Sequence, residues 1–583
     1  MIKSKRTIIN TVWAGVFIAT GIFNLSFGQA KADKLDKLIS AYAKYGKFNG
    51  SVLVAEKGNV IYKKGFGLAD MEWNIPNQPD TKHRLGSITK QFTSMAIMQL
   101  VEQGKLKLDV PISVYLPDYP KKQGEVITIH QLLTHSSGIP NLTSFPGFMK
   151  NISRNYYSPA QLVNLFADST LQFEPGKKVA YSNSGYMLLG YIIEKVTGKP
   201  YEQVLKENIF APLKMINTGY DHHARLLKNR AKGYEKNGRR YVNANYIDMS
   251  VPYAAGALYS TVEDLYLWDQ ALHGNKLLRK ENMDLLFANH NPSGGNAYYS
   301  YGWGIGEIPL GNTKERIGII GHAGGIDGFN TMLNRIPTDT SFIVLLNNTG
   351  ASPLDQMTNA IAAILYDKSY DLPKGSVAYL LADRIEKDGT SAALRYYNEI
   401  KDSSGYYLDE KEMNTTGYQF LQEEKAEGAA AIFKINTEAF PKSFNVYDSY
   451  GEALLALGNK TEALENYKKA VKLNPGNENA LKILKDNGIK TDDLVKKVPI
   501  AYLKLLEGEY VNIDQKGWKI KFDVVEGTLY GTHHHSNYRH KVLPVGEGEF
   551  VNADDGASLV FDTKDKNAIT MIFFGNAKFK KVL

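Results

Sequence analysis

The chain has 583 residues, 43% hydrophobic and 22% charged, with a formal net charge of +8. That composition is a folded protein's, and the length exceeds one core, so roughly three or four domains are expected. Lysine and arginine are interspersed with acids, which argues against a nucleic-acid partner. The complete lack of cysteine excludes disulfides, thiolate metal sites, a cysteine nucleophile and a lipid-modified cysteine.

Lys3, Lys5 and Arg6 precede an apolar run from Ile8 to Phe27, and small residues follow at Gly28, Ala30 and Ala32. This is the order of a secretory signal, read over residues 1–32, with cleavage after Ala30 or Ala32. The run is also about long enough for an uncleaved anchor, but Thr11, Thr20 and Asn24 interrupt it. Nothing later is apolar enough to span a bilayer. Export to a bacterial periplasm or exterior is expected, with no stable membrane span after cleavage.

Residues 33 to about 370 mix short strands, amphipathic helices and glycine-rich turns. Ser51-Val52-Leu53-Val54-Ala55 and Val60-Ile61-Tyr62 flank Lys57-Gly58-Asn59, the pattern of a β-hairpin. A second hairpin is predicted with strands at 330–336 and 341–346, followed by an apolar helix over 353–365. Strands at both ends with helices between predict an α+β domain, one antiparallel sheet flanked by helices.

From about 375 to 490 the pattern is helical and repeats. Gly417, Ala429, Phe433 and Pro441 recur as Gly451, Ala463, Tyr467 and Pro475, each 34 positions on, which is the tetratricopeptide period. The small residues let two helices close, and the aromatic fills the groove between them. Tyr447 supplies the large aromatic of the second unit's first helix. Asn436 departs from the pattern, standing where the second unit has Ala470. A looser helical pair is predicted over 377–401. Over 501–583, alternating segments such as Trp518-Lys519-Ile520-Lys521-Phe522, divided by glycines and aspartates, predict a small all-β sandwich or barrel. The polar stretches 370–375 and 487–498 read as linkers.

The strongest chemical signal is Gly86-Ser87-Ile88-Thr89-Lys90. The stretch that follows is apolar nearly all round, which predicts a buried helix. Ser87 would stand in its first turn, where free N–H groups and the positive end of the dipole favour negative charge. Lys90, three residues on, rises over the same face. A serine hydroxyl needs a base to become a nucleophile, and a buried lysine can lose its proton near neutrality. The competing reading is a solvated Ser and Lys at a helix start, since so short a pattern recurs by chance.

Tyr181-Ser182-Asn183 precedes an apolar helix over 186–196. A tyrosine facing Ser87 and Lys90 can relay protons, and Asn183 can bind a substrate amide or hold the lysine. The alternative is a loop tyrosine with Ser182 or Asn183 as a helix cap. Gly321-His322-Ala323-Gly324-Gly325 comes just before the strand at 330–336. It suits a strand edge against which a substrate backbone lies, His322 adding charge or a hydrogen bond; the alternative is a glycine-rich turn.

Together with Leu132-Leu133-Thr134-His135-Ser136-Ser137-Gly138, Gly256-Ala257-Leu258-Tyr259-Ser260-Thr261 and Tyr301-Gly302-Trp303-Gly304, these motifs resemble the serine β-lactamase, DD-peptidase and esterase superfamily over roughly residues 40–365. The resemblance implies an acyl-enzyme on Ser87 that water releases. Lys90 and Tyr181 would share general-base and general-acid duties, in an order the resemblance leaves open. It implies an oxyanion hole from the N–H groups of Ser87 and Gly325, with Asn183, His322, Gly324 and Gly325 binding substrate. No cofactor or metal is expected. The β-lactamases usually carry Lys-Thr-Gly where this chain has His322-Ala323-Gly324, as certain DD-peptidases, D-aminopeptidases and esterases do. Lysine offers a permanent charge to a substrate carboxylate, whereas histidine is near half-charged around neutrality. Antibiotic hydrolysis is therefore not the expected main task.

His533-His534-His535 with His540 form a weaker cluster. On a strand His533 and His535 would share a face and could bind a metal. Without a carboxylate partner, an exposed polar strand end is the expected reading.

The expected function is cleavage of ester or amide bonds in small molecules or short peptides, including D-amino-acid peptides. One alternative is a β-lactamase or a DD-carboxypeptidase acting on cell-wall peptides. Another, of a different class, is a non-catalytic sensor whose helical repeats hold a protein or cell-wall partner. A pure binder has no physical need for Ser87, Lys90, Tyr181 and Asn183 together, which favours the enzyme.

Overall fold

The computed structural model describes residues 29–515, 517–565 and 568–582. Most of the signal read over residues 1–32 lies outside them; positions 29–32 open a helix over 29–44. Lys31 on that helix donates to the Leu365 carbonyl at 2.6 Å and to Glu56 at 2.8 Å. No described helix is long and apolar enough to cross a membrane. The chain divides into two compact units, Met1–Pro373 and Lys374–Leu583.

The first unit is built on an eight-stranded antiparallel sheet. Its order is Asn291–Gly294, Ala297–Tyr299, Gly304–Pro309, Arg316–Ile326, Phe329–Ile336, Ser341–Asn347, Gly50–Glu56 and Asn59–Phe66. The early hairpin joins the late one through Gly50–Glu56 and Ser341–Asn347, with Leu53 opposite Val344. Alternation along these strands sends side chains to opposite faces. Val52, Val54, Ile343 and Leu345 face the helix at 29–44 and the helix Leu354–Leu365. Leu53, Val344 and Leu346 face the larger core, which includes the helices Thr89–Glu102, Asn183–Thr197 and Val262–Ala271. The predicted hairpins and closing helix are thus present; the strands Asn291–Gly294, Ala297–Tyr299 and Gly304–Pro309 are additions, and Arg316–Ile326 carries the third motif.

Thr89–Glu102 is the predicted buried helix, its face Phe92, Met95, Ala96, Ile97 and Leu100 almost wholly out of solvent. Some of its buried polar groups are paired: Thr93 donates to the Ala254 carbonyl at 2.6 Å, and Gln91 Oε1 accepts from the Trp268 indole at 3.1 Å, whereas Gln91 Nε2 and Gln99 Oε1 have no hydrogen-bond partner among the described residues.

In the second unit, Val377–Asp388 pairs with Thr390–Ile400, Glu410–Gln422 with Ala426–Ala439, and Phe444–Ala456 with Lys460–Leu473. The repeat's glycines are where two helices touch. A Cβ on Gly417 would stand 2.4 Å from the Phe433 ring, and one on Gly451 3.0 Å from the Tyr467 ring. Asn436 is buried, and its amide donates to the Glu410 carbonyl at 3.1 Å, so the polar departure ties two helices together.

The segment after residue 500 is a closed barrel of eight antiparallel strands, from Gly508–Asn512 to Ala577–Val582, with Tyr510 opposite Lys581 at the seam. Ile520 and Phe522 point into its core while Lys519 and Lys521 alternate outward. A short helix, Ile500–Leu506, precedes it and places Leu503 and Leu506 in the same core; an all-β reading had no room for it. His533 ends a strand while His534 and His535 lie in the following turn, so His533 and His535 do not share a strand face. His533 instead lies beside buried His540, ring centroids 5.3 Å apart. Among the described residues, no group of three or more His, Cys, Asp and Glu is placed to hold a metal ion.

Candidate active site

Ser87 sits in a 3-10 turn, Gly86–Ile88, that runs directly into the helix Thr89–Glu102. The nucleophile candidate therefore precedes the helix by one tight turn rather than occupying its first α-turn. Gly86 makes this possible at φ 54°, and a Cβ there would come within 2.8 Å of the Gly325 nitrogen. Only glycine adopts that backbone so close to another chain segment without strain.

Lys90 is fully buried. Its Nζ donates to Asn183 Oδ1 at 2.8 Å and to the Ala255 carbonyl at 2.8 Å, and stands 3.0 Å from Ser87 Oγ. Burial pushes the Lys90 pKa well below the usual lysine value. The Tyr181 hydroxyl donates to Ser87 Oγ at 2.8 Å, and burial raises its pKa. Ser87, Lys90 and Tyr181, brought from positions 94 residues apart at the extremes, thus meet at one oxygen.

Asn183 opens the helix Asn183–Thr197, and no side-chain cap bond forms at Ser182. The Asn183 amide nitrogen bonds Asn141 Oδ1 and Thr143 Oγ1, each at 3.3 Å, which turns its oxygen toward Lys90. Of the two expectations for Asn183, holding the lysine is visible directly, and the side chain also lines the pocket over Ser87.

The third motif lies inside the strand Arg316–Ile326, not in a turn. Ile326 pairs with Phe329 across a two-residue turn, so Gly324–Thr331 exchanges ladder hydrogen bonds and Gly325–Asn330 does not. The Gly325 N–H therefore points away from the neighbouring strand, on the side of Gly86 and Ser87. A Cβ on Gly324 would lie 1.9 Å from the Leu85 carbonyl oxygen, which also accepts from Thr331 Oγ1 at 2.8 Å.

His322 corrects one expectation. Its Nδ1–H donates to the Ala323 carbonyl at 2.5 Å, leaving Nε2 to accept from the Tyr299 hydroxyl at 3.0 Å. Burial, then the nearby Lys90, lower its pKa to about 4, so this imidazole is neutral around pH 7 rather than half-charged.

Four contributors carried no chemical assignment in the sequence. The Ala255 carbonyl holds Lys90. Tyr299 holds His322. His135, at φ 56°, accepts from the Ser182 N–H at 3.2 Å and packs against Tyr181 in a tilted ring contact with centroids 4.3 Å apart. Asp327 lines the pocket with a carboxylate oxygen that is buried without a hydrogen-bond partner. The pocket measures about 230 Å³, and its lining includes Ser87, Asn183 and Gly325 together with the apolar Phe148, Met187 and Val251.

With a serine, a buried lysine, a tyrosine and a free strand N–H converging, comparison with known proteins decides the family. The beta-lactamase family model matches residues 35–367. The chain belongs to the beta-lactamase family of serine hydrolases. The Bacillus subtilis (strain 168) protein PbpX, named for penicillin binding, is 32% identical over 338 residues, covering 58% of this chain and 80% of its own. Protein flp of Staphylococcus aureus (strain N315) is 29% identical over 328 residues, 54% of this chain and 62% of that protein. The D-amino acid amidase of Ochrobactrum anthropi SV3, solved with L-phenylalanine amide, is 26% identical with a TM-score of 0.50, covering 59% of this chain and 98% of that one. A tetratricopeptide repeat model matches residues 444–477.

Proposed function

We propose that this beta-lactamase-family hydrolase is exported and cleaves amide or ester bonds of small molecules or short peptides bearing a free amine, D-amino-acid amides among them. The observation that carries the reading is Ser87 Oγ held between Lys90 Nζ and the Tyr181 hydroxyl. A neutral amine has two N–H donors and one lone pair. Asn183 Oδ1 and the Ala255 carbonyl can only accept, so they take the two donors and leave the lone pair for the Ser87 proton. Lys90 is then the base for attack. Tyr181, its pKa raised, stays protonated and is the acid that returns a proton to the leaving amine or alkoxide.

In the first step Ser87 Oγ bonds to the substrate carbonyl carbon as its proton moves to Lys90. The carbonyl oxygen becomes an oxyanion between the N–H groups of Ser87 and Gly325, a device worth about 3 kcal/mol per donor. Collapse expels the leaving group as Tyr181 gives it a proton and takes one in turn from Lys90, which is left neutral. Water then attacks the acyl-enzyme, giving its proton to the same base, and Ser87 departs protonated.

The preference for an amine follows from charge. His322 is neutral, so the position that holds lysine in the β-lactamases offers no cation to a carboxylate here. Asp327 offers the reverse, an unpartnered carboxylate on the pocket wall. The similarity to a D-amino acid amidase supports the same direction. Export rests on the leader at residues 1–32; cleavage after Ala30 would retain Lys31 and its bonds to Leu365 and Glu56.

The test is kcat/KM for D-phenylalanine amide, its N-acetyl derivative and benzylpenicillin. A charge-assisted contact predicts at least about a tenfold preference for the free amine, and Asp327→Asn should erase it. Faster turnover of penicillin than of the amide would overturn the substrate assignment.

A further inference from the structure

A second cavity meets the catalytic residues at Tyr181. The pocket over Ser87 is lined by Ser87, Asn183 and Asp327 but not by Tyr181. The second, of about 400 Å³, has Tyr181 and His322 on its wall and not Ser87. The Tyr181 hydroxyl, 2.8 Å from Ser87 Oγ, links the two. We propose that this cavity is the leaving-group subsite, and that the substrate is a short peptide whose second residue is neutral and apolar. The inference rests on the proposed roles of Ser87 as nucleophile and Tyr181 as acid.

Position gives the role. An acid that protonates a departing amine must lie within hydrogen-bond reach of it. The leaving group therefore departs past Tyr181, and the cavity walled by Tyr181 holds the rest of that group. The acyl part, with its free amine, takes the pocket walled by Asp327. Ammonia, the leaving group of a simple amide, would leave the second cavity unused, yet its volume lies in the range of about 300–1,000 Å³ that holds organic ligands. Cleavage of a peptide there consumes one water and releases the first residue and a peptide one residue shorter.

The floor of the cavity is bare for a reason that packing does not supply. Gly304 and Gly306 share a face of the strand Gly304–Pro309, and Gly321 stands opposite Gly304. A Cβ on Gly321 would lie 2.1 Å from Asn334 Oδ1, so close approach explains that glycine. It does not explain the other two. A Cβ on Gly306 would meet only Ala297, at 3.5 Å, and one on Gly304 only the Gly321 carbonyl, at 3.4 Å. Both are ordinary contacts, so side chains fit where none stand.

The walls give the kind of leaving group. Ile308, Ile319 and Met332 offer an apolar surface, and the amides of Asn334 and Asn359 can bond a peptide N–H and carbonyl. Among the described residues no lysine or arginine lines the cavity, and His322 is neutral. The charged groups on the wall, Glu307 and Asp355, are acids. A leaving residue that ends in a carboxylate finds no cation here, whereas one continued as an amide needs none.

The experiment compares kcat/KM of the full chain for D-phenylalanine amide, D-phenylalanyl-leucine amide and D-phenylalanyl-leucine with its free carboxylate. The dipeptide amide should exceed the simple amide at least about tenfold, the gain from burying one leucine side chain. The free acid should fall several-fold below its amide. Gly306→Leu, which fills the floor, should bring the ratio of dipeptide amide to simple amide close to one, with the melting temperature confirming the fold. Ala297→Leu fills the same space from the neighbouring strand and should do likewise. A dipeptide amide no faster than the simple amide, or a ratio that both folded variants leave unchanged, would overturn the subsite while the proposed function stands. Turnover of none of the three compounds would overturn the proposed function, and the subsite with it.

Discussion

The Leu85 carbonyl oxygen lies where a Cβ on Gly324 would be, only 1.9 Å from it. This contact docks the strand Arg316–Ile326 against the turn that carries Ser87, and so sets the Ser87 and Gly325 N–H groups beside one another. Gly324→Ala must push the two apart. Loss of at least about a hundredfold in kcat is expected, the effect of losing an oxyanion donor, with a lower melting temperature from overpacking. Full activity in a folded Gly324→Ala protein would remove the oxyanion role from Gly325.

Tyr181→Phe separates chemistry from packing. The ring contact with His135 survives while the hydroxyl at Ser87 is lost. Turnover should fall about a hundredfold or more, with melting unchanged. Lys90→Met should also end turnover, but it leaves Asn183 Oδ1 and the Ala255 carbonyl without a donor, and about 1–3 kcal/mol of stability should go with each. Equal destabilisation in both variants would contradict this division.

Much of this was legible in the sequence because it rests on spacing. A three-residue spacing across the tight turn into the helix put Lys90 over Ser87, period two wrote the hairpins, and the 34-residue period set Gly417 and Gly451 under Phe433 and Tyr467. What stayed hidden depends on backbone atoms or on distant packing. A carbonyl such as Ala255 O has no side-chain signature. The packing of the His135 ring against Tyr181 joins segments 46 residues apart. Burial, invisible in a motif, neutralised His322. The strand Asn291–Gly294 reads Asn-Pro-Ser-Gly, a turn by composition, and became a strand only because Ala297–Tyr299 beside it offered an edge.

His322→Lys tests the neutral histidine. A permanent cation there should raise kcat/KM for carboxylate-bearing substrates relative to D-phenylalanine amide. A second positive charge near Lys90 disfavours its protonated form, so the acid limb of the pH–rate profile should move to lower pH. A limb that moves upward would contradict the placement of Lys90 as base.

His83 gives a pH signature for stability. It is fully buried, and burial lowers its pKa from 6.5 to about 4. Above pH 6.5 it is neutral folded and unfolded, and contributes nothing to the pH dependence. Between 6.5 and about 4 only the unfolded chain takes the proton, so stability falls as pH falls, by up to about 3 kcal/mol. The melting temperature of the first unit should decline over that window, and His83→Gln should flatten the decline. An identical slope in the variant would show that His83 does not carry it.

The most direct measurement is intact-protein mass spectrometry after exposure to a fluorophosphonate, with Ser87→Ala alongside. One covalent adduct on the native chain, absent from Ser87→Ala, is the expected result, since only a serine activated by Lys90 reacts. No adduct on the folded protein, or one that persists in Ser87→Ala, would contradict Ser87 as the nucleophile.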